Sequence, residues 1–366
     1  MSNARKLADN LPSVGQLGNR NVIINGAFQV AQRGTSATGV TAGAYNTVDR
    51  FQYAEGSGGG SAGFTVSQST EAPDGFSNSF KLEVTTTDTL TGGENCLIRT
   101  RLEGQNMQRF KSGTSDAESI TVSFYVRASV TGTYGVQLML GPSANATALQ
   151  SITVNSANTW EYKTLTFAGS TSYAIPNDTS RGFDLNIMLD SGPDDLVAPY
   201  TFAAGVSGAF RAPTGQANFV QNSGATFHIT GIQVEVGTEA TPFEHRSFGD
   251  ELARCQRYTY VVKGDDDDHT GYIGYSESTT NARFGVLHPV PMRAAPSFTL
   301  SGTCRAQGGT ADSANFTSGL AIISPNTSHT GACIRVSGTS NLGAADRGYN
   351  LQFKADGSSL TFDAEL

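Results

Sequence analysis

The run Phe227-His228-Ile229-Thr230-Gly231-Ile232-Gln233-Val234-Glu235-Val236 alternates apolar and polar side chains and stops at Gly237. Successive side chains of a strand point to opposite faces, so such a run has one face to bury and one to leave in water. An extended connector containing Pro242 follows, then a helix-like stretch at 247–258, and then strand-like sequence again. This pattern reads as the closing strand of one β domain and the junction into a second. Ser247 with Asp250 resembles a capping box with Asp in place of the more usual Glu. Leu252, Cys255 and Thr259 would share one helical face.

The same alternation recurs upstream at 47–53, 64–68, 79–85, 96–102, 119–128, 135–140, 152–154, 162–167 and 184–189. Turn residues separate these segments, which is the pattern of a sandwich or jelly roll. Asn25-Gly26 is a turn or bulge signal with strand-forming residues on both sides, and 100–110 could hold one helical turn. Downstream, strands are expected at 272–275, 282–287, 297–301, 320–323, 333–337, 348–354 and 359–362. The last two flank Ala355-Asp356-Gly357, a hairpin signal. Residues 191–223 carry Pro193, Pro199 and Pro213. Such a long insertion on a rigid scaffold is a common place for recognition.

Length and composition agree with this reading. A chain of 366 residues with 42 glycines and 15% charged residues suits two turn-rich β domains better than a helical protein. The fold class expected is all-β: a jelly-roll β-sandwich, a short helix and a second, smaller β-sandwich. The net charge of −8 argues against a nucleic-acid partner, which needs a basic face. No apolar run is long enough to insert in a membrane. The first ten residues lack the apolar core of a signal peptide. No repeat of a fibrous shaft occurs.

Few residues point to chemistry. No nucleophile elbow, phosphate-binding loop or zinc-ligand spacing is present. His228 sits within a strand. Glu244-His245 could do acid–base work, but in a junction it is better suited to fixing geometry. Asp265, Asp266, Asp267 and Asp268 form the densest charge cluster and read as a solvated tip. No cofactor is expected, with structural calcium the one cation these oxygens could hold. Cys304 and Cys333 fall in the same domain and could pair. Aromatic rings are the usual platforms for a sugar face, which makes Trp160, Tyr272 and Tyr275 the candidate ligand residues.

Several segments together resemble the tail-fibre and receptor-binding appendage proteins of bacteriophages, particularly marine ones. They are 21–33 with Thr47-Val48-Asp49-Arg50-Phe51, 68–79, Arg101-Leu102-Glu103-Gly104-Gln105, 121–127, the junction 230–258, and 290–297. The resemblance implies a carbohydrate-binding-module-like jelly roll at 21–240, a connector and short helix at 241–258, and a C-terminal β domain at 259–366. It also implies a docking arm at 1–20, in which Leu7, Leu11, Val14 and Leu17 would meet other tail proteins of the virion. Pro242, Phe243, Glu244, His245 and Arg246 would be the inter-domain hinge, with Phe243 buried where the domains meet. Where a Trp often follows Asp-Arg in such proteins, this chain has Phe51. The implied function is non-catalytic attachment to a host-surface glycan or receptor by a homotrimer. That trimer would be made in the host cytoplasm and released by lysis as part of the virion. A structural adaptor or capsid-decorating protein, and a glycan depolymerase, are the alternatives.

Overall fold

The computed structural model describes residues 18–56, 60–141, 146–204, 210–308, 313–316, 320–322, 328–337, 342 and 346–366. The expected docking residues Leu7, Leu11, Val14 and Leu17 lie outside the described residues. The protein is all-β and divides into two compact units, one ending at Phe248 and the other spanning Gly249–Glu365.

The first unit is a sandwich of two six-stranded antiparallel sheets. In spatial order the first sheet contains Ser36–Val40, Gly63–Ser69, Ser79–Thr86, Thr226–Val236, Ile120–Ala128 and Glu161–Phe167. The second contains Tyr200–Ala204, Ala146–Val154, Gly132–Leu140, Arg181–Ser191, Asn95–Glu103 and Gln52–Gly56. The last strand in sequence, Thr226–Val236, therefore enters the middle of the first sheet. His228, Thr230, Gln233 and Glu235, on the face expected to meet water, are buried, while Phe227, Ile229, Ile232 and Val234 all enter the core. Phe64, Phe80, Phe124 and Val126 meet them from the same sheet, and Tyr134, Val136, Phe183 and Leu185 from the other.

Two upstream expectations need correction. Residues 21–30 form no strand around Asn25-Gly26. Side chains of Asn25 replace the ladder: Nδ2 donates to the carbonyls of Val30 (2.8 Å) and Asp49 (2.9 Å), and Oδ1 accepts from Val30 N (3.0 Å). Asn25 is in the left-handed region at φ 61°, which Asn tolerates better than most residues. The strand expected at 47–53 starts only at Gln52, because Arg50 turns the chain at φ 70°. The helical turn expected within 100–110 is present as a 3-10 helix, Gly104–Phe110.

The helix Phe248–Gln256 begins on the last residue before the boundary and otherwise belongs to the second unit, where a three-stranded and a seven-stranded sheet follow it. Cys255 and Thr259 are fully buried and Leu252 half-buried. The smaller sheet has the order Thr259–Gly264, Ser358–Asp363, Ser297–Ser301. The larger has Ser313–Phe316, Cys304–Gln307, Gly348–Phe353, His269–Ser278, Asn281–Leu287, Gly331–Ser337 and Leu320–Ile322. Phe284, Ile334 and Leu351 of the larger sheet share a core with Leu360 and Phe362 of the smaller. The turn at Ala355-Asp356-Gly357 forms, but it makes no hairpin. Gly348–Phe353 and Ser358–Asp363 belong to different sheets, so the turn carries the chain across the sandwich. None of the four cysteines forms a disulfide. Cys304 is in the core, whereas Cys333, next to the inward Ala332 and Ile334, projects from the other side of its sheet.

Candidate functional site

The solvent side of the first sheet carries a row of rings. Tyr125 and Tyr162 are direct cross-strand partners, with ring centroids 4.9 Å apart. Phe76, from the loop before Ser79–Thr86, lies 5.6 Å from Tyr125. Phe243 lies 5.1 Å from Phe76, and His245 packs on both at 4.8 and 5.2 Å. Tyr162 is 47% exposed and His245 is exposed; the other three rings are half-buried. Exposed Thr164 and Thr166 continue the edge strand beyond Tyr162.

A bulge makes room for this row. The register of Thr226–Val236 against Ile120–Ala128 shifts between Thr230 and Gln233. Gly231 takes φ 64° there, and a Cβ on it would come within 2.7 Å of Phe76 and 3.3 Å of Tyr125. Only glycine offers both the left-handed backbone and the space.

The connector residues expected as a hinge are bound to the first unit. Glu235 accepts from Thr241 N (2.8 Å) and Thr241 Oγ1 (2.6 Å). Gln233 accepts from Glu244 N (2.8 Å), and Glu244 accepts from Asn21 N (2.7 Å). Arg246 donates to the carbonyls of Ile23 (2.8 Å) and Asn21, and the carbonyl of Pro242 accepts from Arg20. Phe243 is half-buried on Phe76 rather than fully buried, because its ring lies over a sheet face and not in a core. It is thus a member of the ring row, which the sequence reading did not anticipate.

Trp160 immediately precedes the edge strand, half-buried and edge-on to His228 at 6.1 Å. His228 is buried, and burial, with Arg127 and Lys81 nearby, pushes its pKa down to about 4. Its Nδ1 is 3.2 Å from Ser79 Oγ and its Nε2 3.8 Å from a Glu71 carboxylate oxygen. This Ser–His–carboxylate grouping is not an activated nucleophile. Ser79 Oγ donates its proton to the Glu71 carbonyl at 2.6 Å, so it can only accept from the imidazole.

The outer side of the second sheet holds a polar row that the sequence did not signal. Gln137, Asn186, Arg99 and Gln52 are successive cross-strand partners on four strands. Asp184 and Arg101 are partners in the next row. The long insertion covers part of this face. Tyr200 OH is 2.8 Å from Thr147 Oγ1, and the Arg99 guanidinium lies 4.7 Å from the centre of the Phe210 ring. Burial lowers the Arg99 pKa to about 10. Arg99 Nε donates to Asn186 Oδ1 (3.2 Å), leaving the buried Asn186 Nδ2 without a partner.

The second-unit candidates separate. Tyr272 turns toward the core and Tyr275, 46% exposed, toward solvent. At the acidic tip, Lys354 Nζ is 2.8 Å from both Asp266 and Asp267, and Arg305 is 3.0 Å from Asp267. Hydrogen bonding by Lys354 holds the Asp267 carboxyl below its usual range. Asp268 accepts from Asp265 N, and Asp265 from Gly357 N. Among the described residues no three His, Cys, Asp or Glu side chains are grouped to hold a metal, and no helix is long and apolar enough to cross a membrane. An open groove of about 440 Å³ lies beside the helix, lined by Asp250, Ala253, Arg254, Arg257, Val290 and Pro291.

No protein-family model matches the chain, and no curated protein matches it. Solved structures do. The enzymatically active domain of tailspike protein 4 from bacteriophage CBA120 is 12% identical, over 60% of this chain and 22% of that one, with a TM-score of 0.29. The family 11 carbohydrate-binding module of a Clostridium thermocellum cellulase is 13% identical, over 56% and 99%, with a TM-score of 0.26. A xylan-binding domain from Paenibacillus barcinonensis is 12% identical, over 56% and 94%, with a TM-score of 0.24. At these scores the likenesses are loose, and the functional reading rests on the chain's own residues.

Proposed function

We propose that this protein is a non-catalytic glycan-binding protein that seats sugar rings on the row Tyr162–Tyr125–Phe76–Phe243–His245. The row itself carries the reading. Side-by-side rings, one nearly half exposed at a sheet edge, offer the apolar faces on which pyranose C–H groups pack. Thr164 and Thr166 add hydroxyls at the same edge. The side chains holding the row are fixed by the connector bonds and by Gly231, so little ordering cost remains when a sugar arrives. The wider role is attachment of a virion tail appendage to a host-surface glycan, which rests on the sequence resemblance. Several copies carried on one particle would turn weak single sites into tight adhesion.

Calorimetric titration of the purified chain with host-envelope oligosaccharides tests the site. Tyr162→Ala and Tyr125→Ala should each weaken binding by about tenfold or more, in line with loss of a ring contact worth ~1–2 kcal/mol. Binding that survives both substitutions places the sugar elsewhere. No binding to any envelope glycan sinks the proposal.

A further inference from the structure

The seven-stranded sheet of the second unit has one side in the core and one in water. On the core side stand Ala282, Phe284, Val286, Ile334 and Leu351. On the other, Ile273 is 72% exposed and Leu287 82% exposed, with Tyr275 beside them. Three large apolar side chains on one solvent face are unusual for a surface that stays wet.

The glycines of this face carry a second signal. Gly285, in the middle of Asn281–Leu287, and Gly348, opposite Tyr275, would each place a Cβ in open space. Neither has the positive φ that demands glycine. Glycine inside a strand costs stability, and it is commonly kept where another chain comes close. Nothing within this unit's described residues asks for it, so the reason lies in what covers the face.

Charge says what that is. The strand His269–Ser278 runs along this face from an acidic end to a basic one. At its start, Arg305, Gln352 and His269 are cross-strand neighbours, and Arg305 reaches Asp267. Asp265, Asp266, Asp267, Asp268 and Asp356 gather at that end against Lys354 and Arg305, leaving it negative. At the far end Arg283 and Arg335 share one carboxylate, Glu277, at 2.5 and 2.8 Å, leaving it positive. The neighbouring Asp346 and Arg347 cancel. Ile273 and Leu287 lie between the ends.

We propose that this face is a self-complementary interface between two copies of the chain related by a two-fold axis. Half a turn about an axis near Ile273 sets each negative end against the partner's positive end and closes the apolar centres on one another. A two-fold contact uses the same patch on both copies, which is what a face bearing both charges around an apolar middle permits. The bare Gly285 lets the two sheets approach closely.

Light scattering with sedimentation velocity on the full chain, over a range of concentrations, tests this. The wild type should be a dimer that weakens as salt is added. Leu287→Glu and Gly285→Val should both be monomers with unchanged circular dichroism, since one side chain is almost fully exposed and the other new Cβ meets no atom. A monomer at every concentration, a trimer of any kind, or a dimer that survives both substitutions overturns the proposal.

Discussion

Phe76 meets Phe243 edge-on, with ring centroids 5.1 Å apart and planes at 65°. One ring comes from a loop early in the first unit and the other from the connector that leaves it, and Gly231 holds open the space beneath. Gly231→Val should therefore destabilise the first unit by about 2–4 kcal/mol, through backbone strain at φ 64° and overpacking against Phe76. The same substitution should weaken glycan binding by displacing the ring. Urea unfolding followed by titration measures both. An unchanged midpoint would mean that the bulge relaxes freely.

Asn25 supports a different prediction. Its side chain makes three backbone hydrogen bonds inside the core, at the turn that the sequence signalled but without the strands expected on either side of it. Asn25→Ala leaves buried backbone groups unpaired and keeps an unfavourable φ, so a loss of about 3–5 kcal/mol is expected. Asn25→Gly keeps the backbone relaxed and should recover part of that loss. Equal losses for the two would show that conformation contributes little at this position.

The same two sites indicate what could be read from the sequence. The strands at 226–236, 119–128 and 79–85 were legible because each sends apolar side chains into the core from one face, which imposes a period of two on most of its length. Residues 21–30 were not, since their backbone is satisfied by side chains and follows no period. Nor was the ring row: Phe76, Tyr125, Tyr162 and Phe243 come from four separate segments, and only strand order brings them together. Phe243 was noticed, but as a domain-junction residue. Its half-buried position lowers the expected cost of Phe243→Ala from a core value to about 1–2 kcal/mol.

His228 should make the first unit sensitive to acid. Its pKa is about 4 in the fold and 6.5 when unexposed to it. Below pH 6.5 the unfolded chain takes up a proton that the folded chain refuses, so stability is full above 6.5 and falls as pH drops toward 4. The total is up to about 3 kcal/mol. Asp190 acts the other way, because burial raises its pKa to about 6 and favours the fold as pH falls. The prediction is therefore differential: His228→Gln should have a flatter stability profile between pH 6.5 and 4 than the wild type. Trp160, the sole tryptophan and edge-on to His228, reports it by fluorescence. Parallel profiles would place the imidazole in contact with water.

Calcium should leave the second unit unaffected, for a reason the acidic tip makes visible. Four adjacent carboxylates would repel one another in isolation. Here Lys354 sits between Asp266 and Asp267, Arg305 takes Asp267 as well, and Asp265 and Asp268 accept backbone N–H groups. The tip that the sequence reads as solvated has side-chain cations beside it. Melting temperature should thus be the same in calcium and in chelator. Lys354→Ala removes the internal cation, so the variant should melt lower and regain part of the difference when calcium is added, as a ligand of the folded state alone would do. A calcium-dependent rise in the wild type, absent when Asp265 to Asp268 are all changed to Asn, would instead make the tip a metal site.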